Sequence, residues 1–121
     1  MTPTRRQSVA AQKYLLLQRG VPGERVAPSP AEMREMYAAF NAWKEKFKDK
    51  ILEMGGKLAP GGKVVAASGV MDGPLIEAKE IVGGYMVVVA DSYEDAIEVA
   101  RGCPGLIGPR SSCEIRAIMG S

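Results

Sequence analysis

From Lys13 to Gln18 the apolar residues run consecutively as Tyr14-Leu15-Leu16-Leu17, and Arg19-Gly20 and Pro22-Gly23 close the run. A short uninterrupted block bounded by breakers predicts a strand buried on both faces. At Ser29 the period changes. Ser29-Pro30-Ala31-Glu32 offers a hydroxyl at the N-cap, proline at the first helical position and a glutamate three residues after the serine, which is a capping box. Met33, Met36, Tyr37, Phe40, Trp43, Phe47, Ile51 and Met54 then recur at steps of mostly three and four, with Lys44, Glu45, Lys46, Lys48, Asp49 and Lys50 mostly on the opposite side. The spacing predicts one long helix stopped by Gly55-Gly56, roughly 35 Å in length at 1.5 Å per residue, whose apolar stripe lies on a sheet. A stripe of this kind reads as core before it reads as a ligand surface, and the lysine-rich side reads as a solvated face because acidic residues interleave it.

Lys57-Leu58 and Lys63 to Ala66 flank Pro60-Gly61-Gly62, which predicts a hairpin with two short arms. Gly84 to Ala90, with Val87-Val88-Val89 at its centre, has the uncharged, β-branched composition of a central strand covered on both sides. Ser92, with Asp95 three residues on, caps a second helix whose inner face is predicted to be Tyr93, Ala96, Ile97 and Ala100, and Gly102 and Pro104 end it. In the last strand, Cys113 to Ile118, Cys113, Ile115 and Ala117 alternate with Glu114 and Arg116. The order gives an α+β chain: a ferredoxin-like βαββαβ arrangement with an extra short β-hairpin and both helices on one sheet face. The other face then needs a cover, since exposed apolar surface costs roughly 25 cal/mol per Å². A second copy of the chain meets that need in a homodimer, a dimeric α/β-barrel-like assembly with a cleft between subunits.

Composition narrows the function classes. The 121 residues suit a single domain, and 46% hydrophobic with 25% charged residues is ordinary for a globular protein. Sixteen basic against fourteen acidic residues leave a net charge of +2, too little for the field with which nucleic-acid binders gather phosphates, so no nucleic-acid partner is expected. Arg5-Arg6 invites comparison with a twin-arginine export signal, but the apolar core such a signal needs is broken by Gln12 and Lys13. Residues 1–12 therefore read as a flexible tail and 13–121 as the domain. No run reaches the roughly 18 apolar residues of a membrane span, so the expected setting is the cytoplasm with no membrane partner. Cys103 and Cys113 lack the histidines or further cysteines of a zinc site and the C-x-x-C spacing of a redox pair, so no metal or cofactor is expected and both read as reduced thiols.

Met71-Asp72-Gly73-Pro74-Leu75-Ile76-Glu77-Ala78-Lys79-Glu80, followed by Val82-Gly83-Gly84-Tyr85, resembles the signature of the YCII-related, or DGPF, family, with Leu75 where the motif has phenylalanine. The resemblance covers residues 13 to 119 and implies a dimeric α+β fold. For some relatives it also implies acid–base chemistry through a His–Asp pair, and for others a companion role beside sigma factors. This chain has no histidine, so that pair does not transfer.

Within the motif, Asp72 precedes Gly73-Pro74, and glycine before proline is steered to extended geometry, which fixes the carboxylate at the start of a turn. The candidate ligand-binding residues are Asp72, Gly73, Pro74, Lys79 and Arg110, the two cations answering an anionic small molecule, and Asp72 is the candidate catalytic base. The bland alternative has Asp72 bonding its own turn while Glu77 and Lys79 pair on the surface. Two functions follow: a ligand-binding or regulatory accessory module with a dimer cleft at the Asp72-Gly73-Pro74 loop, and a small isomerase or lyase acting on a carbonyl-bearing acid through Asp72. The missing histidine favours the first. A third option is a domain whose only task is dimerisation.

Overall fold

The structure, a computed structural model, describes residues 11–21, 28–73 and 81–120. In chain order its elements are β1 (Gln12–Gly20), α1 (Pro30–Lys46), β2 (Ile51–Lys57), β3 (Gly62–Ala66), β4 (Gly69–Gly73), β5 (Ile81–Ala90), α2 (Tyr93–Gly102) and β6 (Ser111–Ala117). Four strands form one antiparallel sheet in the order β2-β5-β1-β6, and β3 and β4 form a separate two-stranded sheet. The chain is thus α+β, with two helices and an antiparallel sheet compatible with a ferredoxin-like fold.

β1 and β5 are the centre of the sheet, and their side chains alternate as a pleated strand requires. Tyr14 and Leu16 on β1 and Met86, Val88 and Ala90 on β5 point to the helices and are 0–7% exposed. There they join Trp43 and Phe47 of the first helical segment, Ala96, Val99 and Ala100 of α2, and Cys103 and Leu106 in one core. Leu15, Leu17, Val87 and Val89 point the other way and stay at intermediate exposure, outside that core. The uniform apolar runs thus divide into a covered face and a face that no described helix covers.

The first helix is shorter than its stripe predicts. The Ser29 capping box forms as expected, with the Glu32 N–H donating to Ser29 Oγ at 3.1 Å and the Ser29 N–H to Glu32 Oε1 at 2.8 Å. The helix ends at Lys46, giving about 26 Å at 1.5 Å per residue, and Ile51 and Met54 belong to a strand. At Phe47 the chain turns, its carbonyl accepting from the Lys50 and Ile51 N–H groups, and Ile51 then pairs with Val88. Ladder bonds to the otherwise open side of β5 replace the helical bonds that about two more turns would have made. Gly55 does not stop a helix but sits inside β2 at φ 65°, where an added Cβ would come within 2.0 Å of the Tyr85 carbonyl oxygen. The bulged pairing between β2 and β5 depends on that missing atom. Upstream, Met33, Met36 and Tyr37 are 40%, 50% and 62% exposed, so only the last turns of the stripe are core.

The hairpin also forms elsewhere than expected. Lys57 ends β2 and pairs with Gly84, while the arms are β3 and β4, joined through Ala67-Ser68. Pro60-Gly61-Gly62 is the link into the hairpin, not its tip. On α2 the buried residues are Ala96, Val99 and Ala100, with Ile97 at 37% and Tyr93 at 46% exposure. Val99 displaces Ile97 from the core because α1 lies along this side: the Trp43 indole N–H donates to the Val99 carbonyl at 2.9 Å, and a Cβ at Gly102 would stand 3.1 Å from the Trp43 ring. Tyr93 keeps a structural part, its ring edge-on to Tyr14 at 4.9 Å between centroids and its hydroxyl accepting from the Ala117 N–H at 3.1 Å.

Candidate ligand-binding site

Asp72 lies on β4 rather than at the start of a turn, directly across from Lys63. Its carboxylate accepts from the Lys63 ammonium at 2.5 Å, and the side chain is 87% exposed. It is not enclosed, and among the described residues its side-chain partner is Lys63. Gly73, the next residue, borders a cavity of about 420 Å³ between the base of the hairpin and the start of β5, with Leu58, Val64, Ile81 and Val82 supplying apolar wall. Pro74 and Lys79 lie outside the described residues.

Arg110 sits in the loop before β6, and its backbone carbonyl accepts from the Val21 N–H at 3.1 Å. It borders a second, shallower depression of about 380 Å³ with Gly105, Ile107, Gly108, Pro109 and Ser111. The loop is pinned at its neck by reciprocal backbone bonds between Gly108 and Ser111. Register places the two depressions at one end of the sheet. Gly20 pairs with Ile81 on one side and Ser111 on the other, so the β5 wall of the first and the β6 edge of the second are separated by two strand spacings, roughly 10 Å. Gly73 and Arg110, 37 positions apart in the chain, thus reach the same rim of the molecule.

Charges around this rim are mostly paired. Glu114 on β6 accepts from Arg19 at 3.2 Å and from Arg116 at 3.4 Å. Lys63 is held by Asp72. Among the described residues Arg110 has no ion-pair partner.

The two cysteines belong to the core and not to this rim. Cys103 is buried, and Cys113 packs against the same cluster from β6. Burial pushes both thiols up to about 11, with the neighbouring Cys113 adding to the effect on Cys103 and Glu114 to that on Cys113. A thiol held in its protonated form is a poor nucleophile, and both residues are free.

A model of the YCII-related domain matches residues 12–119, nearly the whole chain. The chain belongs to the YCII-related family. No curated protein matches it significantly. In this YCII-related domain no described helix is long and apolar enough to cross a membrane.

Three residues of the rim carried no functional signal in the sequence. Lys63 was readable as a strand residue, but its pairing with Asp72 depends on the β3–β4 register. That register turns on Ala67-Ser68, a connection without the Asn-Gly or Asp-Gly signature of a two-residue hairpin loop. Ile107 and Ser111 belong to a Gly/Pro-rich loop whose composition announces a turn and nothing about a depression.

Proposed function

We propose that this YCII-related domain is a small-molecule-binding or regulatory accessory module that acts in the cytoplasm as a homodimer, its ligand entering a dimer cleft near the Asp72-Gly73-Pro74 motif and Arg110. The observation that carries this reading is the open cleft of about 420 Å³ beside Gly73, walled by aliphatic side chains, glycine backbone and Lys63. Its volume falls in the range of small-molecule sites, and a second subunit across its open side would supply the enclosure such sites have. Lys79 belongs to the proposed site by its position in the motif.

Asp72 decides between binding and catalysis. As a general base for an isomerase or lyase it needs a substrate held against it and water kept away. Its carboxylate instead stands 87% exposed with Lys63 as its partner, which favours a role in shaping the rim. A dimer that enclosed this rim would restore the catalytic reading, so the assembly and the chemistry are to be tested together.

Support for the dimer comes from the outer sheet face. Leu15, Leu17 and Val87 form its centre, with Val89 beside Lys13 at one end, Glu114 and Arg116 toward the β6 edge and Glu53 toward the β2 edge. An apolar centre with charged margins is the anatomy of an interface between subunits. Light scattering on the purified protein is expected to return about twice the 12.9 kDa chain mass, and Val87→Lys to shift the protein to monomer. A wild-type monomer removes the cleft from the proposal. A thermal-shift screen of metabolites, followed by product analysis, tests the site itself. A compound that stabilises the fold and is recovered unchanged supports the module. A compound that is consumed, with turnover abolished in Asp72→Asn, overturns it in favour of the enzyme.

A further inference from the structure

We infer that the Arg110 depression takes the carboxylate group of a small apolar acid, an inference that rests on the binding role proposed above and gives it a ligand class. The first ground is charge. Arg110 is exposed, has no ion-pair partner among the described residues, and the carboxylate on the adjoining strand, Glu114, is already engaged by Arg19 and Arg116. Planar guanidinium groups meet carboxylates through two parallel hydrogen bonds, the geometry in which arginine outperforms lysine. The second ground is shape. The depression is open and spans about 380 Å³, and Ile107, 51% exposed, and Pro109 line it together with Arg110. A cation alone attracts any anion. A cation beside an uncovered aliphatic side chain favours an anion that brings its own apolar body.

The third ground is rigidity. The Gly108–Ser111 backbone bonds, at 3.0 and 3.3 Å, and the Val21–Arg110 bond tie the loop to β6 and β1, and Leu106 anchors its other end in the core at 8% exposure. The guanidinium therefore rises from a braced loop, and less ordering accompanies binding than on a free one.

The test uses 4-methylpentanoate and its neutral isostere 4-methylpentanamide, titrated into the full chain while backbone amide resonances are followed. The acid is expected to move the Ile107, Gly108, Arg110 and Ser111 amides saturably, with an affinity about tenfold above that of the amide, as a charge-assisted bidentate pair requires. Arg110→Gln is expected to abolish the preference for the acid while its spectrum elsewhere stays that of the folded protein, and Arg110→Lys to restore only part of it. Equal binding of acid and amide in this depression would refute the carboxylate assignment but leave the binding role standing. Saturable shifts confined to the cavity beside Gly73 would do the same. No shift at the rim with either probe would overturn the inference, whereas the binding role would fall only if the metabolite screen were also blank.

Discussion

Trp43 and Phe47, on the last turns of α1 and just beyond it, are 3% and 9% exposed, while Met33, Met36 and Tyr37 on the same stripe of the same helix are 40–62% exposed. The stripe is continuous in sequence, but the surface beneath it is not. Where α2 and the sheet lie under the helix, an indole hydrogen bond and close contact at Gly102 fix the approach. Further up the helix there is no described element to meet. The β3–β4 hairpin is in the same position, with Val65 76% and Val70 65% exposed. A two-stranded sheet on its own is marginal in water, so the hairpin depends on its attachment to the main sheet through the β2 and β5 ends. Apolar pattern supplies the capacity for burial, and a facing element turns it into stability.

The largest expected effect tests this division directly. Trp43→Ala is expected to cost about 3–5 kcal/mol in urea unfolding, because it empties a filled core site and leaves the Val99 carbonyl without its donor, whereas Tyr37→Ala should stay within about 0.5 kcal/mol. Equal costs would mean that the upper stripe is covered in solution, and the contrast between the two parts of α1 would be lost.

A smaller effect comes from the junction where β2, β5 and α2 meet. The hydrogen bond from Lys50, with the Asp91 N–H adding to it against the opposing effect of burial, holds the Asp95 carboxyl below its ordinary 3.8. A lowered value in the folded state means that the stabilisation is complete above the ordinary carboxylate value and is lost as pH falls through the folded one. Between pH 6 and pH 2 the wild type should therefore lose about 1 kcal/mol more than Asp95→Asn, read from urea midpoints at each pH. Identical slopes would mean that the Lys50–Asp95 pair does not help hold α2 to the sheet.

The helix caps give the smallest and sharpest comparison. Ser29 and Ser92 both accept a backbone N–H at 3.1 Å. Ser92→Ala is expected to cost about 1 kcal/mol, since Ala96, Val99 and Ala100 bury the inner face of α2 from its second turn on, and Ser29→Ala about 0.5 kcal/mol, since the first turns of α1 can fray without opening the core. Amide exchange should show the difference as protection lost across α2 in the one variant and only near residues 30–36 in the other. The reverse ranking would place the upper part of α1 in a packed environment.

Much of the fold could be read from local chemistry. The capping box at Ser29, the cap at Ser92 and the strand runs of β1 and β5 each depend on neighbours within a few residues and formed as elements where the pattern indicates, although β1 and β5 are covered on one face and not both. In β6 Cys113 and Ile115 pack on the core as the alternation indicates, while Ala117 is exposed. The family was legible from the Asp72 motif for the same reason. The end of α1 was not, because Ile51 and Met54 fit a helical period as well as a strand, and the choice lay with the free edge of β5. Of the candidate site, the sequence supplied Asp72, Gly73 and Arg110 as residue types of interest. Lys63 as the partner of Asp72, and the aliphatic wall beside Gly73, came only with the fold.

Sequence alone therefore determined the starts of both helices, the strands β1, β5 and β6, and which side chains could be buried, since those follow from capping, backbone propensity and periodicity, whereas β2 and the β3–β4 hairpin did not follow from it. Tertiary structure decided which of those side chains are in fact covered, that Asp72 faces solvent beside Lys63, and that Gly73 and Arg110 share one rim. The reason is that burial and ion pairing are properties of two surfaces brought together, and the chain specifies the second surface only after distant strands have found their register.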